Sequence, residues 1–179
     1  MKIETFLVIL LVSSIFLILG CSDKPDQPVV IKSYPVKNLD GFLTQEGVEV
    51  DRDVSSDGNG SIKIVAPEST TVRLYEAGDI DIENVRLAYQ AKIRAENVIG
   101  QAFLEMWCVF EGKGEFFSRG LRTLVTSDTD WKDTETMFYL KAGENPDNIK
   151  LNLVINGSGT VWIDDIKLVK HPLRRDEQL

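Results

Sequence analysis

Gly159-Thr160-Val161-Trp162-Ile163-Asp164-Asp165-Ile166-Lys167-Leu168-Val169 carries the period that decides the fold class of this chain. Successive side chains of an extended strand point to opposite faces, so alternate residues share a side. Trp162, Asp164, Ile166 and Leu168 share one parity, and Ile163, Asp165, Lys167 and Val169 the other. The first set is the more apolar and is expected to face a core. Asp164 would then point inward near a sheet edge. A carboxylate in that position must be paired, must coordinate a cation, or must accept backbone N–H groups from a loop that it caps.

Working outward from this stretch, the same period of two recurs. Ser61-Ile62-Lys63-Ile64-Val65 and Thr71-Val72-Arg73-Leu74-Tyr75 alternate. Val85, Leu87, Tyr89, Ala91 and Ile93 fall on one parity, against Arg86, Gln90, Lys92 and Arg94. From Gln101 to Phe110, Leu104, Met106, Cys108 and Phe110 oppose Phe103, Glu105, Trp107 and Val109. Further strands are expected at Leu121 to Thr126, Thr134 to Lys141, Ile149 to Ile155 and Thr160 to Val169. No helical stripe competes. Asp57-Gly58-Asn59-Gly60, Glu111-Gly112-Lys113-Gly114, Ala142-Gly143-Glu144-Asn145-Pro146 and Asn156-Gly157-Ser158-Gly159 supply turn chemistry between them. About eight to ten short strands at this spacing imply an all-β fold, a single β-sandwich of jelly-roll type. It is expected over residues 31–170, followed by a polar tail over 171–179.

The terminal stretch, with its glycine turn, aromatic residue, Asp-Asp pair and aliphatic-polar-Leu ending, resembles the last strand of jelly-roll carbohydrate-binding modules and of the broader galactose-binding-like folds. Trp131 and the strands up to Ile155 resemble the approach to that ending. Val50 to Ala66, with Ser61-Ile62-Lys63-Ile64 after a turn, resembles an early strand of the same modules. The resemblance spans Val48 to Lys170. It implies a glycan as ligand, and it implies a structural calcium held by the aspartate at position 164. Calcium takes about six to eight oxygen ligands. Asp57, Asp53 and Asp51 would join Asp164, with carbonyls of the glycine turn. The EF-hand-like look of Asp51 to Gly58 fails, because Val54 and Ser55 break the ligand spacing.

At the other end, Lys2 precedes an apolar run from Phe6 to Leu19 that ends Ile18-Leu19-Gly20-Cys21. A positive start, an apolar core and a small residue before the cut describe a secretory signal. The cysteine after that small residue resembles the lipobox of bacterial lipoproteins. The resemblance implies a signal peptide over residues 1–20, acyl chains on Cys21 and a tether over 21–30. The implied partner is a membrane and the implied location the bacterial cell envelope. Ser22 in place of aspartate leans towards the outer membrane. An uncut anchor is the alternative, but Phe6 to Leu19 is short for a span of about 20 residues.

The chain has 179 residues and a net charge of −8. Such an acidic domain, with no cluster of Lys and Arg, is unsuited to nucleic acid. With Cys21 assigned to lipid, Cys108 is left in an apolar run, where a thiol behaves as a small hydrophobe. The only histidine, His171, lies in the polar tail.

Sugar-binding faces combine an aromatic platform with planar polar groups. One sheet face would carry Trp107, Glu105, Arg86, Gln90, Lys92 and Asn152 if their strands are neighbours. Gly112 to Gly120 adds Phe116, Phe117 and Arg119, with one of the two phenylalanines buried and one exposed. Arg119 and Arg122 would pair with Glu115 or Asp128. Trp107 also reads as core or rim packing, since aromatics in a sandwich more often fill the core than form a platform. Three functions follow: a non-catalytic, lipid-anchored glycan-binding module; a structural lipoprotein that docks another envelope protein; and an enzyme, for which no paired carboxylates or nucleophile motif is visible.

Overall fold

The computed structural model describes residues 27–174 and residue 177. The expected signal peptide and Cys21 lie outside the described residues. Eight strands follow one another: β1 (Val29–Tyr34), β2 (Val48–Asp51), β3 (Ser61–Ala66), β4 (Thr70–Gly78), β5 (Val85–Phe110), β6 (Gly114–Arg119), β7 (Thr129–Leu140) and β8 (Asn148–Pro172). All pairings are antiparallel.

Two long strands organise the molecule. β5 and β8 pair along almost their whole length, from Val85↔Pro172 to Val109↔Asn148. The register slips between Glu96 and Ile99. Here Asn97, Gly100, Gly157 and Gly159 all have positive φ. The backbones approach so closely that a Cβ on Gly157 would lie 1.9 Å from the Ile99 carbonyl oxygen. At this corner the ladder folds over into two layers. The first contains β2, β3, β1, the C-terminal half of β8, the N-terminal half of β5, and β7. The second contains β4, the N-terminal half of β8, the C-terminal half of β5, and β6.

The inner faces of both layers build one core. Leu87, Tyr89, Ile93, Ile163 and Leu168 from the first layer meet Leu104, Met106, Leu151 and Leu153 from the second. Tyr34 of β1 stacks on Tyr75 of β4 across the gap, with ring centroids 4.2 Å apart. Thr136 of β7 donates to the Ser118 hydroxyl of β6 at 3.0 Å. Cys108 lies in this core, and burial pushes its thiol up to about 12, so it stays neutral.

The sandwich is as expected, with differences of detail. Leu121 to Thr126 is not a strand; only Val125 bridges to Ala102. β6 arises instead in the aromatic segment after the glycine turn. The ladder also begins at Val29, inside the expected tether, and ends at Pro172, inside the expected tail.

The parity of the last strand changes partway. Val161 and Ile163 face the core, and so do Ile166 and Leu168. Asp164-Asp165 is a bulge: Lys92 pairs with Asp164 but Gln90 with Lys167, and Asp165 has φ of 50°. Trp162 and Asp164 therefore turn away from the core. Trp162 lies between Lys63 and Arg94 as cross-strand neighbours and donates Nε1–H to Asp51 at 2.9 Å.

Candidate ligand-binding face

The outer face of the second layer is laid out by register. One cross-strand row reads Arg119, Glu105, Asn152, Arg73 across β6, β5, β8 and β4. The next reads Phe117, Trp107, Lys150, Glu76. These residues share a side because their alternates, Leu104, Met106, Cys108, Leu151 and Leu153, fill the core.

Glu105 is the centre of the face and only 5% exposed. Its carboxylate accepts Trp107 Nε1–H at 2.7 Å, Arg119 Nε–H at 2.7 Å and Asn152 Nδ2–H at 3.2 Å. Burial alone would raise its pKa. The three donors outweigh that and hold the carboxyl below the usual glutamate value. Trp107 is thus fixed through its ring nitrogen, and its ring packs against Phe117 at 4.8 Å. The Arg119 guanidinium lies over the Phe117 ring at 4.6 Å. Phe117 remains 49% exposed. Lys150 pairs with Glu115 at 2.8 Å and Arg73 with Glu76 at 3.3 Å.

This arrangement offers two rings for stacking on apolar C–H surface, with guanidinium and carboxamide groups beside them for hydroxyls. The charges on the face are three glutamates, two arginines and one lysine, each joined to a partner of opposite sign or to a donor.

Of the residues expected here, Trp107, Glu105 and Asn152 are brought together. Arg86, Gln90 and Lys92 are not. They precede the corner in β5 and lie on the outer face of the first layer, where Gln90 donates to Glu135 at 3.1 Å. Arg119, Phe116 and Phe117 differ from expectation. Arg119 pairs with Glu105, not with Glu115 or Asp128. Phe116 and Phe117 are both half-exposed, because β6 is an edge strand. The signal that would have found them is the turn at Glu111 to Gly114. Counting outward from Phe110↔Gly114 pairs Trp107 with Phe117 and Glu105 with Arg119.

The acids expected to hold calcium do other work. Asp164 Oδ2 accepts the Ser56 backbone N–H at 2.9 Å and the Ser56 hydroxyl at 2.7 Å; Oδ1 accepts the Asp165 N–H at 2.8 Å. Asp57 accepts the Asn59 backbone N–H at 2.8 Å and its side-chain amide at 2.9 Å. Asp53 enters the network through its backbone N–H, which donates to Asp51. The Trp162 donor, ahead of the Val54 and Asp53 N–H groups, holds the Asp51 carboxyl below its usual value. Among the described residues no three His, Cys, Asp or Glu side chains are grouped so that they could hold a metal ion. The bulge turns Asp164 onto the loop over residues 55–56, which it caps.

No protein-family model matches the chain, and no curated protein does. Solved structures do. The CBM22-1–GH10 modules of Clostridium thermocellum xylanase 10B, complexed with xylohexaose, match with a TM-score of 0.60 at 12% identity, over 79% of this chain and 28% of that one. A xylan-binding domain from CBM 22 matches with a TM-score of 0.58 at 6% identity, over 81% of this chain and 97% of that one. TmCBM61 in complex with β-1,4-galactotriose matches with a TM-score of 0.50 at 18% identity, over 73% and 89%. The fold is therefore the jelly roll of carbohydrate-binding modules. The chain spans 28% of the length of the xylanase chain that it matches.

Proposed function

We propose that this protein is a non-catalytic carbohydrate-binding module, carried on a lipid anchor at Cys21 in the bacterial cell envelope. The observation that carries the reading is the Glu105 hub, which locks Trp107 and Arg119 beside the exposed Phe117 ring on an open sheet face. A pyranose ring stacks on Trp107 and Phe117 while Arg119 and Asn152 bond its hydroxyls. Neighbouring strands lie about 4.8 Å apart, close to the length of one sugar unit. A chain laid across β6, β5, β8 and β4 would meet a new cross-strand residue with each unit. The fold shared with modules solved with xylohexaose and β-1,4-galactotriose supports this reading.

The test is a titration of the full chain with xylohexaose, β-1,4-galactotriose and a broader glycan array. Trp107→Ala is expected to weaken binding at least tenfold, since a central aromatic anchor contributes about 2 kcal/mol or more, while the melting curve stays cooperative. Binding that survives both Trp107→Ala and Phe117→Ala would sink the assignment of this face. No binding to any glycan would favour docking to another envelope protein.

A further inference from the structure

A second surface, on the outer face of the first layer, is built for a different ligand. Arg86 of β5 sits there between Tyr139 of β7 and His171 of β8 as cross-strand partners. Tyr139 is 50% exposed. The segment after β6 brings Leu121 and Arg122 alongside, and Arg174 lines the same cleft, which has a volume of about 440 Å³ and also touches Glu135. In a chain of net charge −8, this is a local gathering of guanidinium groups beside an exposed aromatic ring.

A carboxylate already lies against Arg86, one of the residues that line the cleft. Glu177, from the end of the chain, lies with Oε2 3.4 Å from Arg86 Nε and accepts the Arg174 backbone N–H at 2.8 Å. The side chains of Arg86 and Glu177 are only 12% and 16% exposed. A glutamate in a charged tail loses hydration by entering such a place, and does so only where a guanidinium compensates it.

We propose that this cleft is a second binding site, for a sugar bearing a carboxylate, and that Glu177 occupies the carboxylate position until such a ligand displaces it. Arg86 and Arg122 take the acid group, and the Tyr139 ring stacks on the sugar. The exposed ring beside the guanidinium groups selects a uronic acid unit over an acidic peptide. Arg119, which donates to Glu105 on the Trp107 face, also lines this cleft, so the two sites adjoin; the inference does not rest on the function proposed for the Trp107 face.

The experiment is calorimetric titration of the full chain with trigalacturonic acid, with neutral β-1,4-galactotriose as the matched control and a short polyglutamate as competitor. The acid trimer should bind, and bind more weakly as salt rises. Glu177→Gln, which removes the internal competitor, should tighten binding several-fold. Arg122→Gln and Tyr139→Ala, both at exposed positions, should each weaken it by about tenfold, the order expected for losing one charge-assisted or stacking contact. The proposal is overturned if neither the wild type nor Glu177→Gln binds the acid trimer, or if Glu177→Gln binds no more tightly. It is also overturned if the neutral trimer displaces the acid one equally, or if polyglutamate binds more tightly than the sugar.

Discussion

Glu105 decides the geometry of the ligand face more than any other residue. It makes no exposed surface of its own, yet it accepts bonds from Trp107, Arg119 and Asn152. Its pKa is lowered on folding, so the stability it contributes is present above the usual glutamate value of 4.5 and is lost as pH falls through the lower, folded value. Melting temperature should therefore fall on acidification below about pH 4.5. In Glu105→Gln that part of the acid sensitivity should be absent, with stability at pH 7 lower by about 1–3 kcal/mol because buried donors lose an acceptor. A pH series of thermal melts on both proteins checks this. Identical profiles would show that Glu105 does not hold the hub. That Trp107 and Glu105 share a side was legible from parity alone; Asn152 joins them only because β8 pairs with β5. Arg119 and Phe117 were not, because their pairing depends on recognising β6 as a strand.

At the scale of elements, the corner in β5 and β8 and the bulge in β8 matter most. Gly157 has φ of 135°, in a region that side chains rarely enter, and its missing Cβ leaves room for the Ile99 carbonyl. Gly157→Ala should cost upwards of about 3 kcal/mol, as strained backbone and steric overlap combine; urea denaturation would measure it, and a change under about 1 kcal/mol would mean that the corner is pliable. The bulge has its own test. Asp164 has its oxygens engaged by Ser56 and Asp165, and among the described residues it belongs to no group of three His, Cys, Asp or Glu side chains that could hold a metal ion. Chelators and added calcium should leave the melting temperature unchanged, whereas Asp164→Ala should open the loop over residues 52–60 to proteolysis. A calcium-dependent rise in melting temperature would contradict this assignment. The bulge was hidden in the sequence because Trp162, Asp164, Ile166 and Leu168 keep perfect alternation; only the unequal pairing against β5 reveals the inserted residue.

At the scale of the whole molecule, the sandwich presents two outer faces of different chemistry: one aromatic and charge-balanced, the other rich in arginine, with Glu177 paired to Arg86. β1 enters the ladder at Val29, so an anchor at Cys21 would leave few residues between the membrane and the domain. We expect the full chain to partition into detergent with acyl chains on Cys21, and Cys21→Ser to release it to the aqueous phase; mass spectrometry of the N-terminal peptide decides. Acyl chains contribute about 0.8 kcal/mol per buried methylene, enough for several to hold a domain of this size.

The alternation of apolar and polar residues and the glycine-rich turns are local properties, written in the order of residues, and they determined by themselves that this chain is all-β and folds as a sandwich. Which halves of β5 and β8 belong to which layer was decided only in three dimensions. That assignment depends on backbone packing at Gly100 and Gly157. It separated Arg86 and Gln90 from Trp107, Glu105 and Asn152, and it gave Arg86 to a different cleft. Strand period reports which side a residue faces within its own strand; it carries no information about how a continuous ladder folds over on itself.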